Sequence, residues 1–380
     1  METLASPGFF FTFAVFALVI GILVFVHEFG HYGVARMFGI KVEAFAVGFG
    51  REIVGWTDRH GTRWKLGWIP MGGYAKFAGD ANAASQPDHA LDATLSAEDR
   101  ANLFHNRPLW QRSLVVAAGP VINFIFAILI FAIFFMTYGH QITPATIGGV
   151  QEGSPAAMAG LRPGDRMVSA DGHSLQRFED ITTLVAINPG TPIDLVVERD
   201  GQEKTLTVTP KLVSQTDNFG NQYTRGMLGI ASGELVVVRH GPVQALRWAV
   251  IETWSTVRMM WETIVQVATG RRDIQDLGGP VKIAQYSGQS AVLGLPALVS
   301  FIALVSINLG FINLLPIPML DGGHLFLYAL EGVRRRPLNP KIQEWAFMSG
   351  FALLMSLMLV LTWNDLQSVG LWDTLASVVG

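Results

Sequence analysis

Cysteine is absent from the chain and charge is scarce, with Asp, Glu, Lys and Arg making up 15% of 380 residues. Without a thiol there is no disulfide framework, no thiol nucleophile and no cysteine-held zinc, so any metal has to be bound by His, Asp or Glu. Basic residues form no long block beyond Arg334, Arg335 and Arg336, and the formal net charge is only −3. Nothing here points to nucleic acid or another polyanionic partner. Hydrophobic residues make up half of the chain and mean hydropathy is positive, which is the composition of a membrane protein.

Four uncharged apolar runs are each about as long as a bilayer crossing: Phe9–Val26, Leu114–Tyr138, Ala291–Leu315 and Trp345–Trp363. The last has Trp at both ends, as a span with indoles at two interfaces would. The first is not a signal peptide by composition, since Met1–Gly8 has Glu2, no Lys or Arg, and no convincing small-residue cleavage site follows. Arg334, Arg335, Arg336 and Lys341 lie between the last two runs, and neither terminus has Lys or Arg outside the spans. The charge bias predicts that this connection is inside and that both termini are outside.

The connection Gly139–Ser290 then lies outside and is long enough for a folded domain. Thr146–Val150, Arg166–Ala170, Ile193–Glu198 and Thr205–Thr209 read as short strands, separated by turn signals at Pro163-Gly164-Asp165, Asp171-Gly172 and Asp200-Gly201. From Val243 to Ala268, the apolar residues Val243, Leu246, Val250, Trp254, Val257, Trp261, Ile264 and Ala268 recur at helical spacing. Arg247, Glu252, Arg258 and Glu262 make this helix a poor span. Its Trp residues suit a membrane surface or a brace for the outer domain, with an ordinary core helix as the alternative. The predicted division is a membrane half at 1–138, an outer domain at 139–230, a helical linker at 231–290 and a second membrane half at 291–380.

His27-Glu28-Phe29-Gly30-His31 carries the chemistry. Four residues of helix turn by about 400°, so both imidazoles leave one face a turn apart and can grip one ion. Zinc lowers the pKa of a bound water toward about 7, and a carboxylate such as Glu28 can take its proton. A chance match is the competing reading. Against it, two histidines and a glutamate at the end of an apolar run would be costly to bury idle.

A hydrolytic zinc usually has three protein ligands. Asp321 is the leading candidate for the third, in Asn313-Leu-Leu-Pro316-Ile-Pro318-Met-Leu-Asp321-Gly322-Gly323-His324. The two prolines must open the helix there and could aim Asp321 at the metal. His324 is the rival ligand, and Asp321 could instead cap a helix after the break.

These two motifs, with Gly119-Pro120-Val-Ile-Asn123 and Asn308-Leu-Gly-Phe-Ile-Asn313 and a domain between, resemble the site-2 protease family in its bacterial RseP-type branch. The likeness covers nearly the whole chain. It implies a polytopic α-helical membrane protein of four transmembrane helices that holds Zn2+ by His27, His31 and Asp321. Glu28 would activate water and Asn313 would stand near the scissile carbonyl, where its amide could donate to the oxyanion. Asn123 and Asn308 are open to a plainer reading as helix–helix hydrogen-bonding groups.

Ile69-Pro-Met-Gly72-Gly73-Tyr74-Ala-Lys76-Phe77 resembles the family's re-entrant β-loop, which would make Gly72, Gly73 and Tyr74 an edge for extended substrate. The alternative is a plain amphipathic hairpin. Gly153-Ser-Pro-Ala-Ala-Met-Ala-Gly160-Leu-Arg-Pro163-Gly-Asp165, with Asp171-Gly172, resembles a bacterial PDZ domain. One copy is visible, about Pro144–Lys211, where the best-known RseP-type members have two, and Arg225-Gly-Met-Leu-Gly229-Ile reads as a remnant or a closing strand. Peptide binding and a steric role both stay open.

The resemblance implies an intramembrane zinc metalloprotease of the bacterial inner membrane with both termini and the PDZ-like domain extracytoplasmic. Its substrate would be a single-span membrane protein pre-cleaved by another protease, such as an anti-sigma factor or a signal-peptide remnant, and its other partner the lipid bilayer. Two rivals are a PDZ-bearing membrane scaffold with a vestigial metal site and a zinc enzyme acting on lipids or small amides. Glu28 argues against the first, since a structural site needs no base, and the edge and PDZ-like segments against the second.

Overall fold

The computed structural model describes residues 8–80, 103–216, 222–270 and 278–368, so most of the leading segment read above lies outside it. Helix α1 (Phe9–Met37) leads into strands β1 (Val42–Thr57) and β2 (Arg63–Phe77), then α2 (Leu109–Thr137). There follow β3 (His140–Ile142), β4 (Ile147–Val150), α3 (Pro155–Met158), β5 (Arg166–Ala170), β6 (His173–Ser174) and α4 (Phe178–Ile187). Next come β7 (Ile193–Arg199), β8 (Gln202–Val208), β9 (Lys211–Thr216), β10 (Gln222–Met227), β11 (Ile230–Ser232) and β12 (Val236–Val238). The last helices are α5 (Pro242–Ala268), α6 (Pro280–Val292), α7 (Leu295–Asn313), α8 (Asp321–Arg334) and α9 (Pro340–Ser368). Two compact units result: Met1–Ile133, Leu246–Val267 and Asp273–Gly380 form one, and Phe134–Ala245 with Ala268–Arg272 the other.

In the first unit, four helices among the described residues are long and apolar enough to cross a membrane: Phe9–Met37, Leu109–Thr137, Leu295–Asn313 and Lys341–Gln367. They cover the four apolar runs, with one difference. The third run was expected from Ala291, but α6 ends at Val292 and α7 begins at Leu295, after Gly294 at φ 105°. That backbone angle interrupts the helix while the apolar composition continues. Helix α6 packs against α1, α7 and α9. Its first turn is capped by Asp365 of α9, which accepts from the backbone N–H groups of Gly279, Val281 and Lys282 at 3.0–3.1 Å.

The hairpin folds twice. Residues 42–47 pair with 73–77 on one side and with 63–66 on the other, and 52–57 pair back onto 63–67. Gly48 and Gly50, at φ 83° and 85°, make the bend. Residues 73–77 therefore form an outer edge, which runs along α1. Phe45, Tyr32 and Trp64 lock the sheet to the helix, with Phe45 and Trp64 ring centroids 4.3 Å apart.

Helix α5 has the expected span, and its apolar stripe is turned outward. Val243, Leu246, Val250, Trp254 and Trp261 are exposed while Ala245, Ala249 and Thr253 are buried. This inverts a globular helix and suits one whose large apolar face meets lipid.

The second unit is built on an antiparallel sheet in the order β6-β5-β7-β8. Its tight hairpins turn at Asp171-Gly172 and Asp200-Gly201, where both residues have positive φ, as primed two-residue turns require. Met167, Leu195 and Val197 of the sheet pack with Ile181 of α4 in the core. The Arg225–Ile230 segment is not one strand: Arg225–Met227 end β10, paired with β9, and Ile230 begins β11 opposite Val150 of β4, while Leu228 between them joins the same core. Strands β3 and β12 pair with His140 opposite Val238, which clasps the two ends of the unit together. The Arg199 guanidinium grips buried Asp165 through two 2.7 Å hydrogen bonds and holds its carboxyl below the usual range.

Candidate metal centre

His27 and His31 lie one turn apart on α1, both buried, with their Nε2 atoms 3.3 Å from each other. Each ring has a partner behind it on α2. His31 Nδ1–H donates to the carbonyl of Val115 at 2.9 Å, and the side-chain amide of Asn123 lies 3.0 Å from His27 Nδ1. The close crossing depends on Gly119, because a Cβ there would run into both imidazoles.

The second motif meets these rings through its break. Helix α7 stops at Asn313, Pro316 and Pro318 cannot continue it, and Met319 takes φ 83° before α8 begins at Asp321. The connecting turn closes over the first turn of α8, where a Cβ at Gly322 or Gly323 would strike the carbonyls of Leu314, Leu315 and Ile317. So held, Asp321 puts Oδ2 3.1 Å from His27 Nε2 and Oδ1 3.5 Å from His31 Nε2.

These three are the one group of potential metal ligands found among the described residues, their ligand atoms all within 4.8 Å of one another. Tetrahedral ligands about 2.0–2.1 Å from zinc stand about 3.3 Å apart, which is the observed spacing. The donor set, two imidazole nitrogens and a carboxylate oxygen, is one that zinc takes. Asp321 Oδ2 is buried without a hydrogen bond, an acceptor a cation would satisfy. The residues fit the metal.

A cavity of about 280 Å³ opens on the triad, lined also by Glu28, Gly72, Gly73, Tyr74, Asn313 and His324. Glu28 lines it beside the outer edge of the hairpin, where a Cβ on Gly73 would stand 3.4 Å from the Glu28 side chain. Gly73 lets that edge close on α1, since a Cβ there would lie 2.5 Å from the Val24 side chain. His324 lines the cavity but packs its ring against Phe347 at 4.9 Å, apart from the converging ligand atoms. Asn308 is not among the lining residues, while Tyr328 and Phe104, which no motif marked, are.

Residues 15–357 match peptidase family M50. The chain is 46% identical to "Putative zinc metalloprotease Atu1380" of Agrobacterium fabrum, over 96% of this chain and 98% of that one. It is 38% identical to "Metalloprotease MmpA" of Caulobacter vibrioides, over 95% and 96%.

Proposed function

This chain belongs to peptidase family M50 and is a zinc metalloprotease, and from that premise we propose that it hydrolyses a peptide bond in or near the transmembrane segment of a single-span membrane protein. One observation carries the reading: His27, His31, Asp321, Glu28 and Asn313 share a single cavity with an edge strand.

His27, His31 and Asp321 would hold the zinc. Bound there, zinc supplies Lewis acidity and makes water acidic enough to be activated near neutral pH. Glu28 accepts the proton of the attacking water and passes it to the leaving amine. Asn313 donates its amide to the oxygen that gains charge. The strand edge at Gly72, Gly73 and Tyr74 supports the choice of substrate, because a transmembrane helix hides its peptide bonds and strand pairing would expose them.

Both termini and the inserted unit face outside, the Arg334–Arg336 loop faces inside, and the substrate arrives already trimmed by another protease. An anti-sigma factor or a signal-peptide remnant in a bacterial inner membrane fits that description. The test is Glu28→Gln in liposomes with a single-span reporter. Zinc content should be unchanged and cleavage should fall by about 10²–10⁴-fold. Turnover near the wild-type rate would remove Glu28 as the base.

A further inference from the structure

An imidazole presents Nε2 to a metal only when its proton sits on Nδ1, and Nδ1 must then donate. For His31 the acceptor is the backbone carbonyl of Val115. For His27 the neighbour is the side chain of Asn123, 3.0 Å from Nδ1 and fully buried. Nδ2 of the amide is placed toward the ring, and Oδ1 is buried without a partner. Two donors would then face each other, and an acceptor is orphaned.

The two ends of an amide have nearly the same size and shape and exchange by a half-turn about the last side-chain bond. That half-turn resolves both conflicts: Oδ1 accepts from Nδ1–H, and the orphaned oxygen is satisfied. The position is fixed independently of the ring, because Ser306 Oγ on α7 donates to the Asn123 backbone carbonyl at 2.8 Å. Helix α2 therefore serves both histidines, one through its backbone and one through a side chain.

We infer that Asn123 is a positioning residue whose Oδ1 accepts from His27 Nδ1, fixing the ring's tautomer and plane so that Nε2 is aimed at the metal. This rests on the ligand roles given under Proposed function. Such partners commonly hold metal-ligating imidazoles, and losing one costs about 10–100-fold in metal affinity or activity.

The experiment is zinc affinity of the purified full-length protein, measured by competition with a chelating dye. Asn123→Leu keeps the bulk and removes the acceptor, and zinc should bind about 10–100-fold more weakly. Asn123→Asp restores an acceptor and should bind near wild type or tighter, a rescue that simple packing would not predict. Wild-type affinity in Asn123→Leu overturns the inference, and so does equal weakening in both variants. His27→Ala separates the two levels: if it binds zinc as tightly as wild type, the ligand reading fails and the inference with it. If it loses zinc while Asn123→Leu does not, only the inference fails. Should Asn123→Leu fail to insert, Asn123→Ala is compared with Asn123→Asp in the same way.

Discussion

Asp321 and His324 sit three residues apart on one helix and line one cavity, yet only Asp321 brings ligand atoms to the two imidazoles. Asp321→Asn should therefore lower zinc affinity together with activity, since a neutral amide oxygen is a poor zinc ligand. His324→Ala should keep its zinc. Metal analysis of both purified variants checks the pair, and full occupancy in Asp321→Asn would hand the role to His324. A second carboxylate, Asp165, makes a pH prediction for the inserted unit. Its folded pKa lies below the ordinary value because Arg199 is bonded to it. The unfolded chain then binds the proton more tightly, so this contribution is complete above the ordinary carboxylate pKa of about 3.9 and is lost as pH falls through the depressed folded value. Limited proteolysis within the unit should show resistance falling over that acid window. Asp165→Asn should be cut faster at neutral pH and show a flatter acid response. An unchanged pH profile in the variant would mean the pair does not couple to stability.

Hydropathy finds helices by composition and cannot see where a backbone turns, which is why the four spans were legible and the α6–α7 break was not. Gly294 interrupts the third run by its φ of 105°, and α6 is short and interspersed with Lys282, Gln285, Ser287, Gln289 and Ser290. The HExxH turn was legible because two imidazoles at i and i+4 share a face in any helix. The doubled hairpin was not, since its register depends on bends at Gly48 and Gly50 and on aromatic packing between Tyr32, Phe45 and Trp64. Nor could any motif show that Val115 would accept from His31, because a backbone carbonyl leaves no mark in the sequence. A prediction belongs to α6, whose first turn depends on a carboxylate from another helix. Asp365 has no exposed side-chain surface and accepts from three backbone donors. Asp365→Ala orphans those donors and should cost about 1–3 kcal/mol of stability, seen as a lower unfolding temperature in detergent. Zinc content should not change, because the residue is outside the ligand group. An unfolding temperature equal to wild type would show that water replaces the cap.

The inserted unit lies outside the membrane in the proposed topology, and the basic loop that follows the zinc motifs lies inside. On that topology the inserted unit cannot supply catalytic groups, and the role we propose for it is to select which substrates reach the site. A deletion can test this, provided the cut respects the fold. Removing only Pro144–Lys211 would strip β4 from β11 and leave Leu228 without its core. The clasp of β3 with β12 offers a better joint, because Ile142 is paired with Val236. Deleting residues 143–235 and bridging the gap with a short Gly-Ser turn keeps that pair as a minimal hairpin. If the unit excludes bulky substrates, the shortened protein, still inserted and zinc-loaded, should cleave a reporter that retains a large outer domain, at a rate approaching that for the trimmed reporter. Cleavage of the trimmed form should be unchanged. If the unit instead delivers substrate by strand addition, the same deletion should slow cleavage of the trimmed form. Exclusion is the expected result, because the sequence offers one segment that resembles a PDZ domain, where a pair would offer two peptide sites. Equal rates before and after deletion, for both reporters, would contradict both roles and assign selection to the strand edge at Gly72, Gly73 and Tyr74.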